Sequence, residues 1–524
     1  MQVEKFPLVK SNSYESIIND YLTHQSGVSD LINGFPDEQN FAGVIGERKF
    51  DSATRTVLAD TLSAQYSGLD IHDAVIRNIG LLRKDNTFTV TTGHQLCLYT
   101  GPLYFIYKII SAIRLSERLN KKFPDKNIVP VYWMASEDHD FEEVNHAFLF
   151  GNKIVWNSDQ KGAVGSFTPN PEVISMFEAA CGNTLNGNQI TGLIKSAYSQ
   201  PTLADAIRYL INEMFGKYGL IIIDGSEKNL KACFKDGLRN ELFAQKGYST
   251  VSNTNLKLKD RNYKIQVNPR EINLFYLSQG ARERIEKNEH GQWKIGSSNR
   301  VYSADEMEQM VDQTPEKLSP NVIVRPMYQE SVLPNIAYVG GPGEIAYWMQ
   351  LKSFFDSASV QFPILVLRDS AMLISAKGKQ RLEKAGLTTD QIFIDRSLVL
   401  KQVLQSDATS FEHEKQRLAE VFQSLSEKVS AVDITLETAA KAELQRNLNS
   451  IDVLEKKMLR ALKTKEEIKI SHIDKLWDEI YPDGSQQERH DNYFQVAANY
   501  EGDLIADLMP HFDPLAAEMK VMFI

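Results

Sequence analysis

TFTVTTGHQLCLYTGPLYFIYK, residues 87–108, and NIVPVYWMASEDHD, residues 127–140, are the stretches whose reading decides the fold. Thr87 to Gly93 is short, rich in β-branched residues and closed by a glycine, which predicts a strand. Pro102 suits the first position of a helix. Apolar residues at 105, 106, 109, 110 and 113 then repeat at helical spacing within Leu103 to Phe123. Asn127 to Ala135 is a second strand, and it ends in the acidic cluster Ser136 to Asp140. Strand, crossover helix and strand make a βαβ unit with parallel strands.

Outward from that unit, Tyr218 to Gly225, Asn335 to Gly340 and Phe362 to Arg368 are further apolar runs of strand length. Runs this continuously apolar belong in a parallel sheet covered on both faces. The gaps between them are too long for plain connections. The expected class is therefore α/β: a Rossmann-like parallel sheet core with two insertions and a C-terminal helical coiled-coil arm. Residues 1–144 hold an N-terminal helical segment and the first half of the core. Residues 145–215 form a first, mainly helical insertion, and 216–239 return a core strand and helix. Residues 240–318 form a second insertion with a small antiparallel β element, from Asn273 to Ser278 and from Gln292 to Ile295 around a turn at Asn288 to Gly291. Residues 319–405 complete the core, 406–480 make the arm and 481–524 pack back on the core. In the arm, Thr409 and Glu412 form a capping-box pair. Phe411, Leu418, Phe422, Leu425 and Val429 stripe one helix, and Leu444, Leu448, Ile451, Leu454, Met458, Ala461 and Ile468 stripe a second. The second helix, residues 435–477, spans about 60 Å at its ordinary rise, and its uncovered stripe calls for a homodimer.

Composition narrows the function. In 524 residues, 42% are hydrophobic and 24% charged, ordinary globular usage. A net charge of −10 argues against binding nucleic acid through the overall field. No run approaches the length of a membrane span, and the N-terminal residues contain no apolar signal core. Three scattered cysteines exclude a disulfide framework or a CxxC metal site, so cytoplasm is the expected compartment and no zinc is expected.

Three candidate constellations fall at carboxyl ends of strands, the edge where open α/β sheets bind ligands. Gly93, His94 and Gln95 read either as an anion site at a helix start or as a capped turn. Glu137, Asp138, His139 and Asp140 read as a site for an amine, a base or a divalent ion, or as a solvated acidic helix start. His139 and His146 are spaced to share one helix face, but no HxxxH or HxxE pattern makes a zinc site. Gly340, Gly341, Gly343 and Glu344 form a glycine turn open to a nucleotide, or simply a tight turn. No GxGxxG and no P-loop are present. Arg325 and Arg368, in or just after apolar strands, suit anions or structural ion pairs. Ser375 to Lys379 reads as a phosphate-facing loop or a solvated basic turn. Cys97 has no base evidently paired with it and reads as a small buried residue.

Three stretches, TTGHQLCLYTGPLYFIYK, VPVYWMASEDHDFEEVNH and LSPNVIVRPMYQESVLPNIAYVGGPGEIAYW, with the tail YPDGSQQERHDNYF, resemble the bacillithiol-biosynthesis cysteine-adding enzyme family over essentially the whole chain. The resemblance implies a core related to class I aminoacyl-tRNA synthetases, with connecting-peptide insertions and dimerisation through the coiled coil. It implies addition of L-cysteine to the amine of glucosaminyl-malate. Gly93-His94-Gln95 sits where those synthetases carry HIGH, and no KMSKS sequence is present. On that reading His94, Asp138 and His139 are catalytic. Gln95, Glu137, Asp140, Arg325 and Arg368 hold substrates. Gly93, Gly340, Gly341, Gly343 and Glu344 face a nucleotide, ATP or another being expected, with or without magnesium. The competing readings are a nucleotidyl transferase on the same fold and a non-enzymatic coiled-coil assembly protein.

Overall fold

The computed structural model describes residues 1–11, 14–297, 300–405 and 411–524. It divides into two compact units, one mainly of residues 3–372 and 486–522, the other mainly of residues 373–485.

The first unit is built on a five-stranded parallel sheet. Its strands are β1 (Thr87–His94), β2 (Asn127–Met134), β3 (Ile221–Asp224), β4 (Asn335–Gly340) and β5 (Ile364–Leu367). Their spatial order is β5-β4-β1-β2-β3, and each neighbouring pair is parallel. Every strand expected of the core therefore enters one Rossmann-like sheet. Strand order reverses at β1, where Thr91 stands beside Val131 on one side and Tyr338 on the other. The strands read as apolar runs because both faces are covered. Phe88, Val90, Ile128, Ile336, Val339, Ile364 and Val366 are buried with Phe41, Val44, Ala112, Leu115 and Leu119 of the flanking helices. Each such side chain contributes about 1.5–3 kcal/mol by leaving water. The crossover helix after β1 is α1 (Leu103–Lys122).

The stretch 145–215, expected as mainly helical, opens with an antiparallel hairpin, His146–Leu149 with Asn152–Val155. His146 lies on that hairpin, so it does not share a helix face with His139. Residues 240–318 carry an antiparallel sheet in which Leu274–Ser278 pairs with Ala281–Lys287, and Ala281–Lys287 with Trp293–Ile295. Leu318–Pro320 closes the other edge of that sheet. Arg325 opens α2 (Arg325–Val332) rather than ending a strand. The Asn321 side chain accepts from the Ile323 N–H at 2.8 Å, and Pro326 occupies the first helical turn, so the chain turns there. The turn after β4 leads into α3 (Pro342–Ser357).

The second unit is helical. It contains α4 (Ala376–Ala385), a long hairpin of α5 (Glu412–Ser430) and α6 (Leu436–Lys465), and α7 (Glu467–Ile480). Lys415 on α5 pairs with Asp452 and Glu455 on α6, each at 2.8 Å. Thr409 of the expected capping box lies outside the described residues, and Phe411 occupies the N-cap position of α5. The expected single helix 435–477 breaks at Glu466. Beyond the break Ile473, Leu476, Trp477 and Ile480 are buried, so α7 packs instead of extending the arm. Ser375 caps α4 through the Gly378 N–H, and the Ser375 N–H donates to Glu479 at 2.7 Å. A carboxylate thus occupies the start of Ser375 to Lys379.

One buried network in the first unit is sensitive to pH. Glu330 on α2 accepts from Gln329 at 2.9 Å and from Asn335 at 2.8 Å. Asn335 in turn accepts from Thr89 and Thr91 on β1. Burial pushes the Glu330 carboxyl up to about 7, against the pull of Arg48. A raised folded-state value means the folded protein holds the proton more tightly. This group's contribution is then full below the ordinary glutamate range and lost as pH rises through about 7. The loss amounts to about 3 kcal/mol. Glu330→Gln keeps the acceptor oxygen without the charge. Its denaturation midpoint should fall less than the parent's between pH 5 and pH 8, as measured by urea titration.

Candidate active site

A cleft of about 510 Å³ opens at the carboxyl edge of the sheet, where strand order reverses. Gly93, His94 and Gln95 enter it at the end of β1, and Trp133, Glu137 and Asp138 at or after the end of β2. Tyr338 lines it from β4, Glu344 and Tyr347 from α3, and Arg325 and Tyr328 from α2. Phe275 and Arg282 reach it from the second insertion. Of the residues singled out in the sequence, His139 and Asp140 line an adjoining open hollow instead, with Asn157 and Asp159. Gly340, Gly341, Gly343 and Arg368 are not among the residues lining the cleft.

Beneath the cleft lies a buried charge pair. The Lys108 ammonium on α1 donates to the Gly93 carbonyl and to Glu344 Oε2, the latter at 2.6 Å. Glu344 also accepts from the Tyr338 hydroxyl at 2.7 Å and from the Gly341 N–H at 2.8 Å. Burial alone would raise this carboxyl, but Lys108 outweighs it and holds it below its ordinary value. Burial in turn lowers Lys108, with Glu344 opposing. The Gly341 N–H that would meet a phosphate is thus spent on an internal cap. Gly340 itself sits tightly, since a Cβ there would come within 3.1 Å of both Tyr338 and Glu344. Gly343, by contrast, has open space where a Cβ would stand.

The two arginines differ sharply. Arg368 is 2% exposed and bound bidentately to Glu488 at 3.0 and 2.7 Å. Its charge is neutralised inside the fold, so it is an ion-pair member. Arg325 donates to two neutral groups, Gln329 Oε1 at 3.0 Å and the Tyr347 hydroxyl at 3.3 Å. Among the described residues no carboxylate pairs with it. A guanidinium held by neutral partners beside Gly93 is ready to receive a carboxylate or phosphate.

The acidic cluster is divided in the same way. Glu137 is paired with the fully buried Lys231 at 2.8 Å and accepts from Ser319 at 3.1 Å. Asp138 accepts from Gln95 Nε2 at 2.9 Å and from the His139 N–H at 2.8 Å, and it remains partly exposed to the cleft. Arg282 lies 3.7 Å from Asp138 and 3.1 Å from His139 Nδ1, and it stacks over Phe275. Burial lowers its guanidinium from the ordinary value, against Glu137 and Asp138. Arg282 and the aromatic walls were not read from the sequence. Arg282 sits in the alternating run Ala281–Lys287, which looks like any exposed hairpin until the insertion is folded over the cleft.

His94 stacks on Phe105, with ring centroids 4.6 Å apart, and meets Tyr104 edge-on. Burial, then the charges of Lys108 and Arg368, holds its pKa well below the ordinary histidine value, so the ring is neutral. Cys97 Sγ lies 3.7 Å from His94 Nε2, and burial pushes the thiol up to about 12. The next turn is strained. Tyr99, Thr100 and Gly101 all have positive φ, 49°, 74° and 67°. For a β-branched residue such as Thr100 this is an outlier, and strain of this kind costs about 1–3 kcal/mol per residue. The surroundings hold it. Asn492 donates to the Tyr99 and Gly101 carbonyls at 2.7 Å each, and the Tyr99 N–H donates to Tyr198 at 2.7 Å. Gly101 is needed for a second reason, because a Cβ there would fall 2.6 Å from Cys97 Cβ.

No group of His, Cys, Asp and Glu among the described residues is arranged to hold a metal ion. No helix among them is long and apolar enough to cross a membrane.

Comparison with known proteins agrees with this architecture. Residues 1–369 match the family model described as bacillithiol biosynthesis BshC, N-terminal Rossmann-like domain. Residues 371–524 match its counterpart, the C-terminal coiled-coil domain. A relative from Flavobacterium psychrophilum, named "Putative cysteine ligase BshC", is 40% identical over 522 residues, covering 98% of each chain. A relative of the same name from Christiangramia forsetii is 39% identical over 525 residues, covering 98% of this chain and 97% of its own. With both family models matched and 98% of its length aligned to these relatives, the chain belongs to the bacillithiol biosynthesis BshC family.

Proposed function

We propose that this chain is the ligase that joins the carboxyl of L-cysteine to the amine of glucosaminyl-malate, giving bacillithiol. The observation that carries this reading is the cleft's division of charge. Arg325 supplies a cation that no carboxylate among the described residues pairs with, and Asp138 supplies a carboxylate open to the same space. An acceptor bearing both carboxylates and an amine needs such a pair. Arg325 takes a malate carboxylate as a two-pronged donor. Trp133, Tyr338 and Tyr347 give flat apolar surface for the sugar ring. Asp138, oriented by Gln95, holds the amine and takes the proton it loses when the C–N bond forms. His94 donates to the oxygen that gains charge as the carbonyl is attacked.

A free carboxyl does not acylate an amine at neutral pH, so the cysteine carboxyl must carry a leaving group. ATP with magnesium is the activator proposed on that chemical ground, and no step is assigned to it. Purified protein with glucosaminyl-malate, cysteine and ATP–magnesium should yield bacillithiol with stoichiometric AMP or ADP. Product that forms only when cysteine is supplied already activated would move that step to another protein. No product under either condition, from folded protein, would overturn the ligase reading.

The two arginines supply a sharper check. Arg325→Met should raise KM for glucosaminyl-malate by about tenfold or more, since a charged hydrogen bond is worth about 1.5–3 kcal/mol, while leaving KM for cysteine within twofold. Arg368→Met should instead lower thermal stability, because removing one partner of a buried pair costs about 3–5 kcal/mol.

We also propose that the hairpin arm pairs two copies of the chain. Leu448 and Ile451 are only half-buried by the hairpin, and Val421, Leu425, Val453 and Leu454 are exposed. A stripe left open by its own hairpin needs another apolar face. Leu448→Glu with Ile451→Glu should shift sedimentation toward monomer at unchanged helix content. An unmoved dimer peak would place the interface elsewhere.

A further inference from the structure

We propose that Cys97 is a positioning residue: its thiol donates to His94 Nε2, which fixes the imidazole as the tautomer protonated on Nδ1 and makes His94 a neutral hydrogen-bond donor to the cleft. The proposal rests on the ligase reading for what the donor does, but not for the tautomer itself.

Three observations lead here. The first is the contact, with Sγ 3.7 Å from Nε2 and both side chains held in place. The Phe105 ring lies flat against the imidazole, and Gly101 closes on Cys97 from the other side. The second is the partner's state. A thiol pushed up to about 12 remains S–H at neutral pH, so it has a proton to give to a bare Nε2 along this contact. The charged groups facing the ring, Lys108 and Arg368, carry no acceptor and are bonded elsewhere, to Glu344 and Glu488. They disfavour the imidazolium but do not choose between its neutral forms. The third is the loop. The left-handed run from Tyr99 to Gly101, held by the Asn492 hydrogen bonds, packs Gly101 so closely on Cys97 that a Cβ there would fall 2.6 Å from Cys97 Cβ.

Nε2 being occupied, Nδ1 is the ring nitrogen left for a bound molecule. Its N–H can donate to a carbonyl or phosphoryl oxygen as negative charge collects there, without a proton leaving the ring. His94 is then an electrophilic group rather than a general base. Cys97 acts through it without touching substrate.

The test uses the full-length protein labelled with nitrogen-15 histidine. Long-range nitrogen–proton correlation spectra report the tautomer of each ring, and the His94 signals are those missing from His94→Gln. The expected spectrum has His94 protonated on Nδ1 with Nε2 shifted as an acceptor, from pH 6 to pH 9. Cys97→Ala should lose that pattern and populate the Nε2–H form, and Cys97→Ser, which keeps a donor, should restore it. In the bacillithiol assay Cys97→Ala should lower kcat about tenfold, the value of one hydrogen bond, with KM values within twofold. Cys97→Ser should recover most of that loss. A parent spectrum showing His94 protonated on Nε2 overturns the proposal, whatever the kinetics. So does a Cys97→Ala protein with parental tautomer and parental kcat. The spectra need no turnover, so an inactive preparation with the expected tautomer counts against the ligase reading alone.

Discussion

A single ammonium group buried under the sheet edge governs the site. Lys108 has no water to solvate it and no freedom to leave, so the Gly93 carbonyl and the Glu344 carboxylate must stay where they meet it. Those two acceptors belong to the two glycine turns on either side of the strand-order reversal. The pair therefore fixes the spacing between β1 and β4 at the point where the cleft opens. Glu344 passes the constraint on, because the same carboxylate caps α3 and holds the Tyr338 hydroxyl. A buried pair of this kind gains little net stability. What it provides is a fixed distance between two turns that glycine would otherwise leave loose.

The sheet was legible because burial on both faces writes itself into composition. Strands such as Ile221–Asp224 and Ile364–Leu367 have no polar face to confuse the period. Half of the candidate site followed from position alone, since His94, Gln95, Glu137 and Asp138 come directly after such strands. The rest depended on tertiary pairing. Nothing local distinguishes Arg325 from Arg368. The difference is that Glu488, 120 residues further on, pairs with one of them, while among the described residues no carboxylate pairs with the other. Glu344 looked like a ligand group because Lys108, 236 residues earlier, could not be seen beside it. The break at Glu466 was hidden for a related reason. Apolar residues kept their helical spacing through it, while the surface they face changed.

The polar groups in and around the cleft are thus of two kinds. Lys108, Lys231, Glu137, Glu344 and Arg368 are neutralised within the protein and set its shape. Arg325, Asp138 and His94 keep capacity for a guest. In a buried site this division matters more than the count of charges, because a group already satisfied gains little from a ligand.

The strained turn at Tyr99 to Gly101 has a consequence for how the molecule is made. Its two inward carbonyls are held by Asn492, a residue synthesised almost four hundred positions later. Until that asparagine leaves the ribosome, the early loop lacks the partner that keeps it left-handed. Synthesis of the sheet can finish long before the loop beside His94 takes its final form. A chain cut short before Asn492 therefore lacks the two hydrogen bonds that hold the turn just beyond the Cys97–His94 contact.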